Sequence, residues 1–271
     1  MAVRSALIHV MAAAALKAAR GLVRDFGEVD QLQVSVKGPG DFVSNADVKA
    51  ERVLKTELQR ARPGYGFLLE EGGETAGDGR HRWIVDPLDG TTNFLHGLPL
   101  FAISIALERD GVIVAGVIYE PIRDEMFWTE KGVGAYVNER RLRVSGRRRL
   151  AEAVIGTGMP FGDRADPDSY LATLAPIMAA TSGIRRLGAA ALDLAYVAAG
   201  RLDGYWEFGL KPWDMAAGLL LVREAGGYAT DFTGAYGLTR SGDMLAANDH
   251  LHPVLLKLVA DALGAVRAPV S

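Results

Sequence analysis

The chain has 271 residues, about half of them apolar and roughly a quarter charged, with a net charge of −3 and no cysteine. That length suits one large domain or two tightly joined halves with a sizeable core. The absence of cysteine excludes disulfides and thiolate metal sites, so a metal would need oxygen or histidine ligands, and the small net charge argues against strong overall attraction to nucleic acid or a membrane surface.

Ala6, Leu7, Val10, Met11, Ala14, Ala18, Leu22 and Phe26 recur at helical spacing, which predicts an amphipathic helix over roughly 4–26. No apolar run reaches the roughly 18 residues a membrane span needs. The N-terminal stretch also lacks a compact apolar core followed by a cleavage site, so no signal peptide is expected and a cytoplasmic protein is the default. A Gly-Pro-Gly turn at 38–40 precedes Ser44-Asn45-Ala46-Asp47, which reads as a helix start with Ser44 as cap and Asp47 in the capping-box position. Val48, Leu54 and Leu58 continue that helix to a stop near Pro63-Gly64. Gly66 to Leu69 is a short apolar stretch ending in Glu70-Glu71, followed by a flexible segment over Gly72 to Arg80. Trp83-Ile84-Val85 reads as a buried strand running into Asp86.

Phe101 to Glu108, Val112 to Tyr119 and Glu125 to Thr129 read as successive strands with turns at Asp110-Gly111 and Pro121, an antiparallel pattern. The basic stretch around 140–149 is the candidate boundary between halves. Beyond it, Val154 to Thr157 is strand-like, Ser169 to Ala180 and Ala189 to Ala199 are helical, Pro212 opens a helix that stops at Gly226-Gly227, and a last helix covers about 253–265.

The densest chemical signal is Trp83-Ile-Val-Asp86-Pro-Leu-Asp89-Gly-Thr91-Thr-Asn93-Phe. A strand carries two carboxylates to its end, and the turn at Pro87 and Gly90 lets both face one pocket. Thr91 and Thr92 can begin a short helix whose free N–H groups suit an anion. Hard divalent cations prefer such oxygen ligands, and Mg²⁺ keeps waters and substrate phosphate oxygens beside a few carboxylates. A bare Asp-Pro-x-Asp-Gly also serves as a turn plus cap. Pro-Trp-Asp214 opening a helix also serves as a dipole partner.

Trp83 to Phe94 resembles the first signature of the inositol monophosphatase family, and Trp213-Asp214-Met-Ala-Ala-Gly218 with Glu224-Ala-Gly-Gly227 resembles its second. Glu70-Glu71 lies upstream at the expected distance, and the likeness runs from about Lys37 to Asn248. The resemblance implies a layered αβαβα sugar-phosphatase fold of the α/β (α+β) class. It would form one domain over 1–271, with halves at about 1–145 carrying the first signature and 146–271 carrying the substrate loop and the second. It implies a phosphoric monoester hydrolase using two or three Mg²⁺ ions, direct attack by water, and inhibition by lithium.

Carried over by resemblance, the metal ligands are Glu70, Asp86, the carbonyl of Leu88, Asp89 and Asp214. Glu70, Thr91 and Asp47 orient or deprotonate the attacking water, although the capping-box role of Asp47 is sufficient by itself, and Glu71 is the alternative to Glu70. Gly90 and Thr91 contact phosphate through their amides. Arg186 to Asp193 resembles the substrate loop and the helix after it, which places Gly188, Ala189 and Ala190 at the substrate together with Glu207 and Asp214. Family members often carry Ser where this chain has Ala189, so one hydroxyl contact is lost. Glu207 can accept two hydroxyl donors and favours a polyol. Asp163 and Lys37 are looser matches, one to a polar substrate contact and one to a lysine at the entrance. Trp83, Trp128, Trp206 and Trp213 are expected in the core, the first and last bracing the metal loops.

The implied substrate is myo-inositol 1-phosphate, with histidinol phosphate or a broad range of sugar and nucleotide phosphates as alternatives. The run Arg140-Arg141-Leu-Arg143 with Arg147-Arg148-Arg149 offers a non-enzymatic alternative, RNA or partner-protein binding. It lacks interleaved aromatics, so nucleic acid is not the expected partner. Homodimers are usual in the family, and a homodimer is the expected assembly.

Overall fold

The computed structural model describes residues 4–28, 34–38, 41–160, 166–237 and 241–267. Helix α1 (Ala6–Phe26) starts at Ser5, whose hydroxyl accepts the Ile8 N–H at 3.2 Å. Strands β1 (Val34–Gly38) and β2 (Asp41–Ser44) pair antiparallel; Pro39 and Gly40 of the expected turn lie outside the described residues. Helix α2 (Asn45–Ala61) opens with the capping box that Ser44 and Asp47 predict.

Eight strands form the first sheet: β3 (Gly66–Leu69), β4 (Gly73–Thr75), β5 (His81–Asp89), β6 (Ala102–Arg109), β7 (Val112–Glu120), β8 (Glu125–Glu130), β9 (Gly134–Val137) and β10 (Arg140–Arg141). Their order is β10-β9-β8-β7-β6-β5-β3-β4, antiparallel except where β3 runs parallel to β5. The β6–β7 hairpin closes on Asp110 (φ 50°) and Gly111 (φ 77°), the left-handed pair that a two-residue turn demands. β4, an exposed edge strand, occupies part of the segment that composition marks as flexible. After β5, α3 (Thr91–Leu95) is a single turn.

The second sheet is mixed. Its order is β12 (Gly183–Arg185), β11 (Val154–Thr157), β13 (Gly204–Glu207), β15 (Met244–Ala247) and β14 (Tyr228–Thr230), with β12, β11 and β13 parallel and the last two joined antiparallel. The remaining helices are α4 (Pro167–Ala180), α5 (Ala190–Ala198), α6 (Pro212–Glu224) and α7 (His252–Arg267).

Three apolar cores make the layering explicit. α1 and α2 cover one face of the large sheet, with Trp83, Val85, Ile103 and Ile105 beneath them. α5 and α6 fill the space between the sheets, against Ile84, Ala102, Ala106 and Tyr205. α4 and α7 cover the outer face of the second sheet, over Ile155, Trp206 and Leu245. The result is the layered αβαβα architecture.

The middle layer is tight because small residues let backbones approach. A Cβ on Gly218 would stand 2.5 Å from Leu194 Cβ, and one on Gly116 would stand 3.0 Å from Ala217 Cα. Trp83, Trp128 and Trp206 are buried as expected, while Trp213 is only half-buried.

By length and composition α1 could cross a membrane, with a mean hydropathy of 1.5 in its best window. Alanines raise that average without forming an uninterrupted apolar run. Its inward residues, including Ile8, Met11, Ala15 and Leu22, are buried against the large sheet and α2.

Candidate active site

Side-chain alternation aims the key carboxylates. On β5, Trp83 and Val85 face α1 and α2, whereas Ile84 packs into the middle layer. Successive strand residues point to opposite faces, so Asp86 shares the side of Ile84 and looks toward α6. On β13, Tyr205 packs into the middle layer and Trp206 into the outer one, so Glu207 also looks inward. The two sheets thus send Asp86 and Glu207 toward the same helical layer.

Beyond Asp86 the pairing of β5 with β6 slips, since Asp86 pairs with Ser104 but Asp89 with Ala102. This bulge keeps a second carboxylate at the same mouth. The Leu88 N–H donates to Asp86 Oδ1 at 2.8 Å, and the Ala191 N–H at the start of α5 donates to Asp89 Oδ2 at 2.7 Å. Gly90 takes φ 94°, and a Cβ there would lie 2.9 Å from the Leu100 carbonyl oxygen and 3.2 Å from Ala189 Cβ. Only glycine allows the α3 turn and the Gly188–Ala190 loop to approach so closely. Asn93 ties them further, its Nδ2 donating to the carbonyls of Leu100 at 2.7 Å and Leu187 at 2.8 Å.

Asp214 is the third residue of α6, and its Oδ2 accepts the Lys211 N–H at 2.7 Å. Pro212 at the first helical position leaves no N–H wasted there. Ser104 Oγ donates to the Trp213 carbonyl at 3.2 Å, which fastens the start of α6 to β6 beside Asp86. Glu70 follows β3, and its N–H donates to the Val85 carbonyl at 3.2 Å.

The charges of these acids act on Asp86 and Asp89. Burial raises the Asp86 carboxyl well above its ordinary value, and the charges of Glu70, Asp89 and Asp214 push it further. Asp89 is raised by burial, then by Asp214, Glu207 and Glu70, against the Ala191 N–H that lowers it. Glu71 is not among the charges that raise Asp86 or Asp89. Its N–H donates to Glu51 Oε2 at 2.8 Å, and its charge acts on Glu51.

Asp47 is fully buried. Its Oδ2 accepts the Ser44 N–H at 2.9 Å and the Ser44 hydroxyl at 2.6 Å, and the Thr91 hydroxyl lies 3.0 Å from both Asp47 Oδ1 and the Leu88 carbonyl. Burial raises its carboxyl, opposed by the bonds from Ser44 and Thr91. The capping box and the Thr91 contact therefore coexist, one on each oxygen.

Residues without an assigned role in the sequence also belong to this neighbourhood. The Tyr205 hydroxyl donates to Glu207 Oε2. Asp193, 1% exposed, is raised by burial and then by Glu207 and Asp89, with Arg186 opposing. The alternation of Gly-Tyr-Trp-Glu could have placed Tyr205 beside Glu207, whereas Asp193 carries no such local signal. Asp163 lies outside the described residues, as does the side chain of Lys37.

The basic run is partly committed to the fold. Arg147 Nη1 donates to the buried Asp203 at 3.0 Å, Arg149 pairs with Glu152, and Arg140-Arg141 form edge strand β10.

Among the described residues, no three carboxylate or imidazole groups stand in finished ligand geometry around one point. The chemistry of the donor set nevertheless fits a hard divalent ion. Several buried carboxylates sharing one mouth are costly unless protonated or neutralised by a cation. Oxygen-only ligands of this kind match the preference of Mg²⁺.

The family model described as the inositol monophosphatase family matches residues 3–264. An inositol-1-monophosphatase from Mesorhizobium japonicum is 61% identical over 263 residues, covering 97% of this chain and 99% of that protein. Another inositol-1-monophosphatase, from Rhizobium meliloti, is 57% identical over 257 residues, 94% of this chain and 97% of that protein. The crystal structure of the extragenic suppressor protein suhB from Bartonella henselae superposes with a TM-score of 0.91 at 58% identity, over 94% of this chain and 98% of that one. Matched along nearly its whole length in sequence and in fold, the chain belongs to the inositol monophosphatase family.

Proposed function

We propose that the protein hydrolyses a phosphate monoester with Mg²⁺, and that the substrate is myo-inositol 1-phosphate. The observation that carries this is the meeting of four acids from three separate segments, Glu70, Asp86–Asp89 and Asp214, where the charges of Glu70 and Asp214 raise both Asp86 and Asp89. In this reading Glu70, Asp86, Asp89, Asp214 and the Leu88 carbonyl hold two or three ions. Bound Mg²⁺ would supply neutralisation of phosphoryl charge and acidification of water near neutral pH.

The chain's own groups do the rest. Glu70 accepts the proton of the attacking water. Thr91, fixed by Asp47 Oδ1 and the Leu88 carbonyl at 3.0 Å each, orients that water through its hydroxyl. The amides of Gly90 and Thr91 at the start of α3 hold phosphate oxygens. Gly188, Ala189 and Ala190 bring backbone close to the substrate. Glu207, steadied by the Tyr205 hydroxyl, accepts hydroxyls of the polyol. Phosphoryl transfer asks chiefly for such positioning and charge stabilisation.

The names of the closely similar inositol-1-monophosphatases support the substrate choice. One domain over 1–271, a homodimer and a cytoplasmic location belong to the same proposal. The test is a side-by-side kcat/KM series with Mg²⁺ on inositol 1-phosphate, histidinol phosphate and fructose 1,6-bisphosphate. Preference for inositol 1-phosphate that falls on Glu207→Gln supports the reading. Preference for another ester, untouched by that substitution, refutes it.

A further inference from the structure

A cleft of about 930 Å³ opens between the β6–β7 hairpin, one side of α6, the Gly209–Pro212 stretch that leads into Asp214, and Tyr236. That volume is in the range of small-molecule pockets. Its charges do not balance. Arg82 bonds Glu74 at 2.9 Å and Glu108 at 3.0 Å, so Glu108 is already satisfied. Glu224 accepts the N–H groups of Gly132 at 2.8 Å and Gly134 at 2.9 Å. This leaves Lys131, Lys211 and Arg223 lining the cleft with no carboxylate at ion-pair distance among the described residues.

Arg223 is the telling group. It is half-buried, its Nη2 donates to the Ala229 carbonyl at 2.7 Å, and its guanidinium lies 4.9 Å from the Tyr236 ring centre. Its Nε is buried with no hydrogen-bond partner, as is that of Arg82. Burial lowers the guanidinium from its ordinary value. A buried donor without a partner is costly unless something supplies an acceptor, and arginine is well matched to phosphate oxygens. Beside these donors the wall is apolar, with Ile113, Leu219 and Leu220 below and the exposed faces of Val112 and Tyr236 at the rim.

We propose that this cleft is a second binding site, separate from the active site, for a small phosphorylated molecule. Its phosphate sits against Arg223 and Lys131, and its apolar part lies on the Tyr236 and Leu219 wall. The Glu70–Asp214 acids do not line it, so it binds without hydrolysing and without need of a metal.

Phenylphosphonate is a suitable probe, because it joins a phosphoryl group to an apolar ring and has no ester bond to cleave. It is titrated by calorimetry into the full chain after chelation, which disables metal-dependent phosphate binding at the active site. Saturable binding of one probe per chain is expected. Arg223→Gln and Lys131→Gln should each weaken it by about tenfold or more, with Mg²⁺-dependent turnover unchanged and with Glu70→Gln binding the probe like the parent. Lys131 is exposed, so Lys131→Gln keeps the test valid if Arg223→Gln fails to fold. No saturable binding, parental affinity in Lys131→Gln, or loss of binding in Glu70→Gln would overturn the proposal.

Discussion

Asp89→Asn separates the cost of the carboxylate cluster from its use. Asn can still accept the Ala191 N–H in place of Asp89 Oδ2, so the substitution removes charge and little else. In the metal-free fold the Asp89 carboxyl is raised above its ordinary value of 3.8, by burial and by Asp214, Glu207 and Glu70. A raised carboxylate gives stability that is fully present below that ordinary value and is lost as pH rises through the folded value.

At pH 7 the loss has a ceiling. One pH unit is worth about 1.4 kcal/mol, so carrying a proton from 3.8 to 7 costs at most about 4 kcal/mol. Asp89→Asn should therefore stabilise the metal-free protein, by less than that ceiling, and raise its Tm. Scanning calorimetry at pH 7 after chelation measures this, and turnover with Mg²⁺ on the same sample should fall by about 10³ or more. Mg²⁺ should raise the Tm of the parent and barely move that of the variant. A lower metal-free Tm in the variant, or turnover within tenfold of the parent, would mean that the Asp89 charge neither burdens the metal-free fold nor serves catalysis.

Other consequences are open to measurement. His252 is buried with Nε2 2.9 Å from Thr230 Oγ1, and burial lowers its value below 6.5, so the unfolded chain binds its proton first. Stability from this group is therefore present above about pH 6.5 and is lost as pH falls, and His252→Gln should flatten the Tm slope between pH 5 and 7; an unchanged slope would show another group is responsible. A Cβ on Gly158 would fall 2.0 Å from Glu207 Cδ, so Gly158→Ala must displace that carboxylate. KM for inositol 1-phosphate should rise by about tenfold, with p-nitrophenyl phosphate little affected; an equal effect on both would deny Glu207 a polyol role. Gly218→Val should cost about 1–3 kcal/mol by overpacking α6 against Leu194, read as a lower Tm; parental Tm would mean that the helices separate freely.

Legibility in the sequence followed how local each cause is. α1 and α2 announce themselves by apolar period and by the Ser44–Asp47 capping box, and the β6–β7 hairpin by Asp110-Gly111. Most of the second sheet carries no strand signal in the sequence. β13 and β15 are four residues each, and Met244-Leu-Ala-Ala247 has weak strand preference; their state is set by pairing with each other, β13 also with β11 and β15 also with β14. β4, wholly exposed, forms only because β3 offers it an edge.

The site divides the same way. Asp86, Asp89, Gly90 and Thr91 form one contiguous string whose strand, bulge and turn explain their meeting. That the charge of Glu70 acts on Asp86 while the Glu71 N–H bonds Glu51 depends on α2 and is not legible in two adjacent glutamates. Asp193 closes the Arg186–Asp193 string, yet no role for it is legible there, because α5 is buried on every side and leaves no polar face to mark its acid as unusual.

The most direct test of the account is an anomalous diffraction map from crystals grown with Mn²⁺ in place of Mg²⁺ and with inorganic phosphate. Metal peaks ligated by Glu70, Asp86, Asp89 and Asp214 are expected, with phosphate oxygens against the Gly90 and Thr91 amides. Metal bound elsewhere, or phosphate held with those four carboxylates uninvolved, would contradict it.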